Sequence, residues 1–194
     1  MVTTSSPSSQ NNETYTGIPT GKIVLWIAIA SMIMMFAGLT SGYIVRQAEG
    51  NWFVFELPSI FYISTIFIVL SSVSMFYAMW AVKRNDIKGL RTGLFITLGL
   101  GLAFAFTQFA AWSKLVDMGV YFVGNPSGSF LYVISGLHLA HIAAGIIYLM
   151  VVSVGAIKGK YHSGNYLPLE LCSTFWHFLD ALWIYLFFFL LFLR

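Results

Sequence analysis

The sequence predicts an all-α integral membrane bundle of five transmembrane helices, with its amino end cytoplasmic and its carboxyl end external. Composition comes first. Of 194 residues, 58% are hydrophobic and only 9% charged, against about 25% charge in a soluble domain. Mean hydropathy is +0.81. Second, five apolar stretches lie at about 23–45, 59–82, 92–113, 130–157 and 167–193. Each reaches the roughly 20 residues needed to cross ~30 Å of hydrocarbon. Third, Lys and Arg alternate between the links in unequal numbers, which sets orientation. This composition excludes a soluble globular enzyme and a disordered chain. The formal charge of +3 comes from too few groups to build a face for nucleic-acid phosphates. With one cysteine, Cys172, there is neither an intrachain disulfide nor a multi-cysteine metal site.

Residues 1–20 are polar and low in complexity, and read as a flexible tail that buries too little apolar surface to order itself. No basic segment opens the chain, and the apolar run after Lys22 is too long for a signal peptide. The sequon at Asn12 reads as chance. The remainder, 21–194, reads as one membrane domain. Backbone polar groups in lipid must be satisfied within their own segment, which makes the spans helices. No stretch alternates with period two, as a membrane strand would. The last two spans are long enough to tilt or project beyond the lipid.

The links are short: Arg46 to Leu57 before a helix start at Pro58, Lys83 to Arg91, Lys114 to Ser129, and Lys158 to Tyr166. No internal repeat suggests an inverted-repeat transporter. One side carries seven cations, Lys22, Lys83, Arg84, Lys88, Arg91, Lys158 and Lys160; the other carries three, Arg46, Lys114 and Arg194. The richer side is assigned to the cytoplasm. Trp26, Trp52, Trp80 and Trp112 fall near span ends, as an aromatic belt requires. Small-residue pairs, Gly38 with Gly42, Gly101 with Ala105, and Gly136 with Ala140 and Ala144, mark places where helices are expected to approach closely.

Polar residues inside the spans carry the functional information, because an ionisable group in lipid is costly and normally faces a partner. Helix three has Thr107 and Gln108; helix four has Ser135, His138 and His141; helix five has Glu170, His177 and Asp180. His138 and His141 share one side of their helix by spacing, as do His177 and Asp180. At 1.5 Å per residue, Asp180 lies about 20 Å and His141 about 24 Å from the cytoplasmic side, so the two can meet. Metal or haem ligation requires more ligands, or imidazoles from opposite sides of a ring plane. A transmembrane proton relay requires a polar series that stops here after Trp183. The favoured reading is a hydrogen-bonded polar patch locking helices four and five. Ser135-Gly136 lacks a nucleophile elbow, and Cys172 reads as packing.

Several of these residues resemble a known family. Gly128-Ser129-Phe130, Ser135-Gly136-Leu137-His138-Leu139-Ala140-His141 and Gly145 are similar to the GS-F…TG-HG-HV…G signature of haem–copper oxidase subunit III. Glu170 and Phe175-Trp176-His177-Phe178-Leu179-Asp180-Ala181-Leu182-Trp183 resemble its E…YWHFVD-VW motif. Leu94-Phe95-Ile96-Thr97 with Gln108, and Ser31 to Leu39, resemble two further stretches. The resemblance runs from about residue 23 to 194.

The resemblance implies the five-span bacterial form of the subunit, in the cytoplasmic membrane. It would pack on oxidase subunit I, alongside subunit II and other oxidase subunits, within a complex that reduces dioxygen and pumps protons. It would carry no haem, copper or active site of its own, and a larger respiratory assembly is a further candidate partner. Its implied work is to stabilise the catalytic subunit, bind phospholipid and support sustained proton uptake. His138, His141, Glu170, His177, Asp180 and Trp183 would form its structural polar core. Lys158 and Lys160 are candidate lipid contacts. Met32 and Ala111 stand where the family often has glutamates, which weakens a direct proton-antenna role. A quinol-type oxidase subunit, and a stand-alone intramembrane enzyme or transporter, are the alternatives.

Overall fold

In the computed structural model, residues 19–50, 52–54 and 57–193 are described. The expected tail therefore lies outside the described residues as far as position 18, as does Arg194. The elements are α1 (Thr20–Ala48), α2 (Ile60–Lys83), α3 (Ile87–Asp117), α4 (Pro126–Ile157) and α5 (Leu167–Phe192). All five are long and apolar enough to cross a membrane. Among the described residues the only extended pairing is an isolated bridge, His162 with Asn165.

Helices α2, α3, α4 and α5 close a ring, each packed on the next, and α5 returns to α2. Helix α1 lies outside this ring against α4 and α5, and does not pack on α2, its neighbour in sequence. α1 and α5 run side by side in the same direction. Lys22 Nζ donates to Glu170 Oε1 at 2.8 Å near their starts. Tyr185 donates to Thr40 Oγ1 at 3.2 Å, and Gln47 Nε2 donates to the Leu193 carbonyl at 2.9 Å near their ends.

The helices extend beyond the apolar stretches because capping groups sit in the links. Asp86 accepts from the Gly89 amide at 3.0 Å and starts α3 inside the charged link. Asn125 accepts from the Ser127 amide at 3.0 Å, with Pro126 in the first turn of α4. Both side chains satisfy amides that have no intrahelical partner. At the far end of α4, Arg91 donates to the carbonyls of Ala156 at 3.2 Å and Ile157 at 2.9 Å. This cation meets the negative end of the α4 dipole.

Close approaches differ from the expected small-residue pairs. The tightest seam joins α2 and α3, where a Cβ on Gly93 would stand 2.8 Å from Ala78 Cβ and 3.0 Å from its backbone nitrogen. Gly89 faces Ala81 in the same seam. Gly42 meets Phe130 and Gly136 meets Trp112, but Gly38 has no neighbour within 4 Å, and Ala140 and Ala144 are exposed. Spacing alone does not say which face of a helix is covered, and the outer face of α4 carries Ala140 and Ala144. Trp26 and Trp80 are exposed, Trp80 under the Arg84 guanidinium at 3.7 Å, whereas Trp52 and Trp112 are half-buried.

Candidate functional site: the buried polar residues of α4 and α5

The centre of the ring is filled by Trp176. Its indole N–H donates to Ser71 Oγ on α2 at 3.0 Å, and its ring lies against Gly101 of α3 and Gly145 of α4. One side chain thereby touches the other three helices of the ring. Two turns on, Trp183 donates to Thr65 Oγ1 of α2 at 3.1 Å and packs on Phe61 and Phe104.

His138 is fully buried on α4. Its ring stacks on Trp183 with centroids 5.1 Å apart, and meets Phe36 of α1 and Phe104 of α3 edge-on. Neither ring nitrogen has a hydrogen-bond partner among the described residues. His141 turns back to its own helix, where Nδ1 donates to the Leu137 carbonyl at 2.7 Å. His177 Nδ1 lies 2.6 Å from Ser72 Oγ on α2, and its ring stacks on Phe76. Asp180 is 3% exposed, and neither carboxyl oxygen has a partner of normal hydrogen-bond geometry. Glu170 pairs with Lys22 of α1.

The expected polar patch between α4 and α5 is therefore corrected. His138, His141, Glu170, His177, Asp180 and Trp183 do not join in one network. Glu170, His177 and Trp183 of α5 reach α1 and α2 for their hydrogen bonds, His138 meets α5 only by stacking on Trp183, and the α4–α5 hydrogen bond runs instead from Tyr148 to the Pro168 carbonyl at 3.0 Å. His141 and Asp180 share a depth but form no bond. The acceptors that sequence reasoning missed are the α2 hydroxyls Ser64, Thr65, Ser71 and Ser72. Ser64 takes the Gln108 amide of α3 at 3.1 Å. Five Ser and Thr hydroxyls on one apolar helix, these four and Ser74, were the available signal.

Met32 and Ala111 are both buried, so apolar side chains stand at the two interior positions. Cys172 is buried and unpaired. Among the described residues, no three His, Cys, Asp or Glu side chains converge as a metal-binding group.

At the end where α4 finishes, a groove of about 430 Å³ runs along Met150, Val151, Val154 and Gly155 to Lys158, Lys160 and Tyr161. Burial, with a smaller contribution from Cys172, holds the Tyr161 hydroxyl above its ordinary value, so it stays neutral at the groove wall. The acids at this end are engaged, Asp86 in capping α3 and Glu170 with Lys22.

These features define a five-span helical membrane subunit whose interior is filled by its own aromatic side chains. The family pattern described as cytochrome c oxidase subunit III matches residues 53–193, and the chain belongs to that family. It is 31% identical over 181 residues to a probable cytochrome c oxidase subunit 3 of Nocardia farcinica, covering 88% of this chain and 86% of the relative. It is 30% identical over 169 residues to cytochrome c oxidase subunit 3 of Corynebacterium diphtheriae, covering 83% and 82%. With the subunit 3 of Bacillus sp. PS3 it shares 25% identity over 167 residues, covering 84% and 80%.

Proposed function

We propose that this chain is the non-catalytic third subunit of a bacterial cytochrome c oxidase, packed on the catalytic subunit in the cytoplasmic membrane beside subunit II. The reading rests on the family match, carried by near-full coverage of relatives that bear that name. Those names favour a cytochrome c oxidase over a quinol-type oxidase, and over a stand-alone intramembrane enzyme or transporter. Haem and copper belong to partner subunits in this reading, and this chain's work is support: stabilising the catalytic subunit, holding lipid and sustaining proton uptake.

The closed ring around Trp176 suits a rigid scaffold. The amino end is cytoplasmic and the carboxyl end external in this reading, because the cation-rich links share one end of the bundle. The groove at Lys158 and Lys160 suits a phospholipid, with acyl chain along Met150, Val151 and Val154 and phosphate at the two lysines. Purification of the tagged chain in mild detergent tests the assignment. Oxidase subunits I and II, with a haem spectrum and a copper centre in subunit II, are expected to copurify; a chain that purifies alone would contradict it.

A further inference from the structure

His141 stands at the midpoint of α4, about 22–24 Å from either end. Its ring is half-buried, with Phe36 of α1 edge-on at 5.9 Å between centroids. Because Nδ1 meets a carbonyl, that of Leu137, Nδ1 carries the proton. The neutral imidazole then offers Nε2 as an acceptor. No described residue donates to Nε2, and, unlike both nitrogens of His138, it is not sealed inside the bundle. The other ionisable groups at this depth are closed off. His138 and Asp180 are buried. His177 Nδ1 meets Ser72, and its Nε2 is enclosed. Among the described His, Asp, Glu, Lys and Arg residues, only His141 brings a polar atom to the outer face in the middle of a span.

The surface around this nitrogen is shaped for a helix. Leu137, Ala140, His141 and Ala144 follow the i, i+3, i+4, i+7 spacing of one helix face, and Ala140 and Ala144 are exposed. Across the seam, Gly42 of α1 meets Phe130 of α4, and Gly38, one turn earlier, has nothing within 4 Å. Small residues on both walls let another backbone come close. Acyl chains offer no donor at this depth, and a polar atom left unpaired in hydrocarbon is costly. A helix can bring the donor that lipid lacks.

We propose that this face of α4, with the Gly38 edge of α1, docks a membrane-spanning helix of a partner oxidase subunit, and that this helix donates a hydrogen bond to His141 Nε2 from a hydroxyl, amide or indole at mid-depth. The proposal rests on the subunit reading and names the contact surface that reading leaves open. The imidazole is the polar anchor, which fixes the depth of the partner helix. The two alanines and Gly38 set how closely it approaches.

Site-directed photocrosslinking in the haem-containing complex, purified through the tagged chain in mild detergent, tests the proposal. A photoreactive side chain at position 144 is expected to form an adduct with another oxidase subunit. One at position 73, where Val73 of α2 is 61% exposed, is expected to label lipid only. His141→Leu should dissociate from the complex about threefold faster, the worth of one hydrogen bond between membrane helices. His141→Gln, whose amide oxygen accepts, should restore part of the difference. Ala144→Phe should lower retention at least about fivefold by overfilling the contact, with the amount of chain in the membrane unchanged. A haem-containing complex in which position 144 labels only lipid or a second copy of this chain, or in which His141→Leu is retained like the unaltered chain, overturns the proposal and leaves the subunit reading standing. A tagged chain that purifies without other oxidase subunits overturns both.

Discussion

The indole of Trp176 donates to Ser71 Oγ at 3.0 Å across the α2–α5 seam, while its ring occupies the space that the glycines of α3 and α4 leave open. A Cβ on Gly101 would stand 2.7 Å from the Trp176 ring, and one on Gly145 would stand 3.1 Å from Leu179. Sequence dictates this arrangement through three small groups on three helices, all sized for one large side chain. Trp176→Ala is expected to cost about 3–5 kcal/mol, as removal of a buried Trp does. Trp176→Phe keeps most of the volume and loses one intramembrane hydrogen bond, worth about 0.6 kcal/mol. Thermal unfolding in detergent should therefore separate the two variants widely.

Gly101→Val overfills the same space. Overpacking typically costs about 1–3 kcal/mol, so a lower melting temperature and reduced incorporation into the complex are expected. Gly38→Val, at a position with nothing within 4 Å, should leave the melting temperature of the isolated chain unchanged.

Arg91 closes the end of α4 by donating to Ala156 and Ile157. Arg91→Met leaves two carbonyls without these donors and removes a cation from the negative end of the helix. Hydrogen bonds to charged groups contribute about 1.5–3 kcal/mol, and the half-exposed setting places this pair at the low end. Hydrogen exchange of the last turn of α4 should accelerate in Arg91→Met, with little change in α2.

The lysines at the α4 groove give a compositional test. Each juxtamembrane cation contributes about 1 kcal/mol toward an anionic lipid surface. The double variant Lys158→Gln, Lys160→Gln should therefore copurify with several-fold less anionic phospholipid and unchanged zwitterionic lipid. Mass spectrometry of lipids extracted from the purified complex reads this directly. Equal anionic lipid in both preparations would remove the groove from the account.

Orientation is open to labelling. Ser163→Cys lies in the α4–α5 link, whose backbone amide at 163 donates to Asn85 in the α2–α3 link. It should react with an impermeant thiol reagent only from the cytoplasmic side of membrane vesicles, and Tyr121→Cys only from the other side. The native Cys172 is buried and should stay silent.

Much of this fold was legible in the sequence, for a physical reason. A span of twenty apolar residues has few places to go but across a bilayer, so the five helices and their links followed from hydropathy. Depth was legible too, since rise per residue is fixed: His141 and Asp180 were placed near each other along the bundle axis. Rotation about each helix was not. His177 faces Ser72 of α2 rather than α4, and the outward turn of Ala140 and Ala144 depends on where α1 and α3 settle. Gly89 escaped notice because Lys88 and Arg91 made that stretch look like a link. It became helix once Asp86 capped it. The α2 hydroxyls carried no charge to draw attention, yet they take the hydrogen bonds of Trp176, Trp183 and Gln108 and meet His177.

The central claim is that this polypeptide supports a redox centre held elsewhere. The direct measurement is oxygen consumption over repeated turnovers, with haem and copper content, for the oxidase purified with and without this chain. The account predicts unchanged haem and copper, an unchanged initial rate, and progressive loss of activity only where the chain is missing. Haem or copper lost in proportion to the missing chain would contradict it.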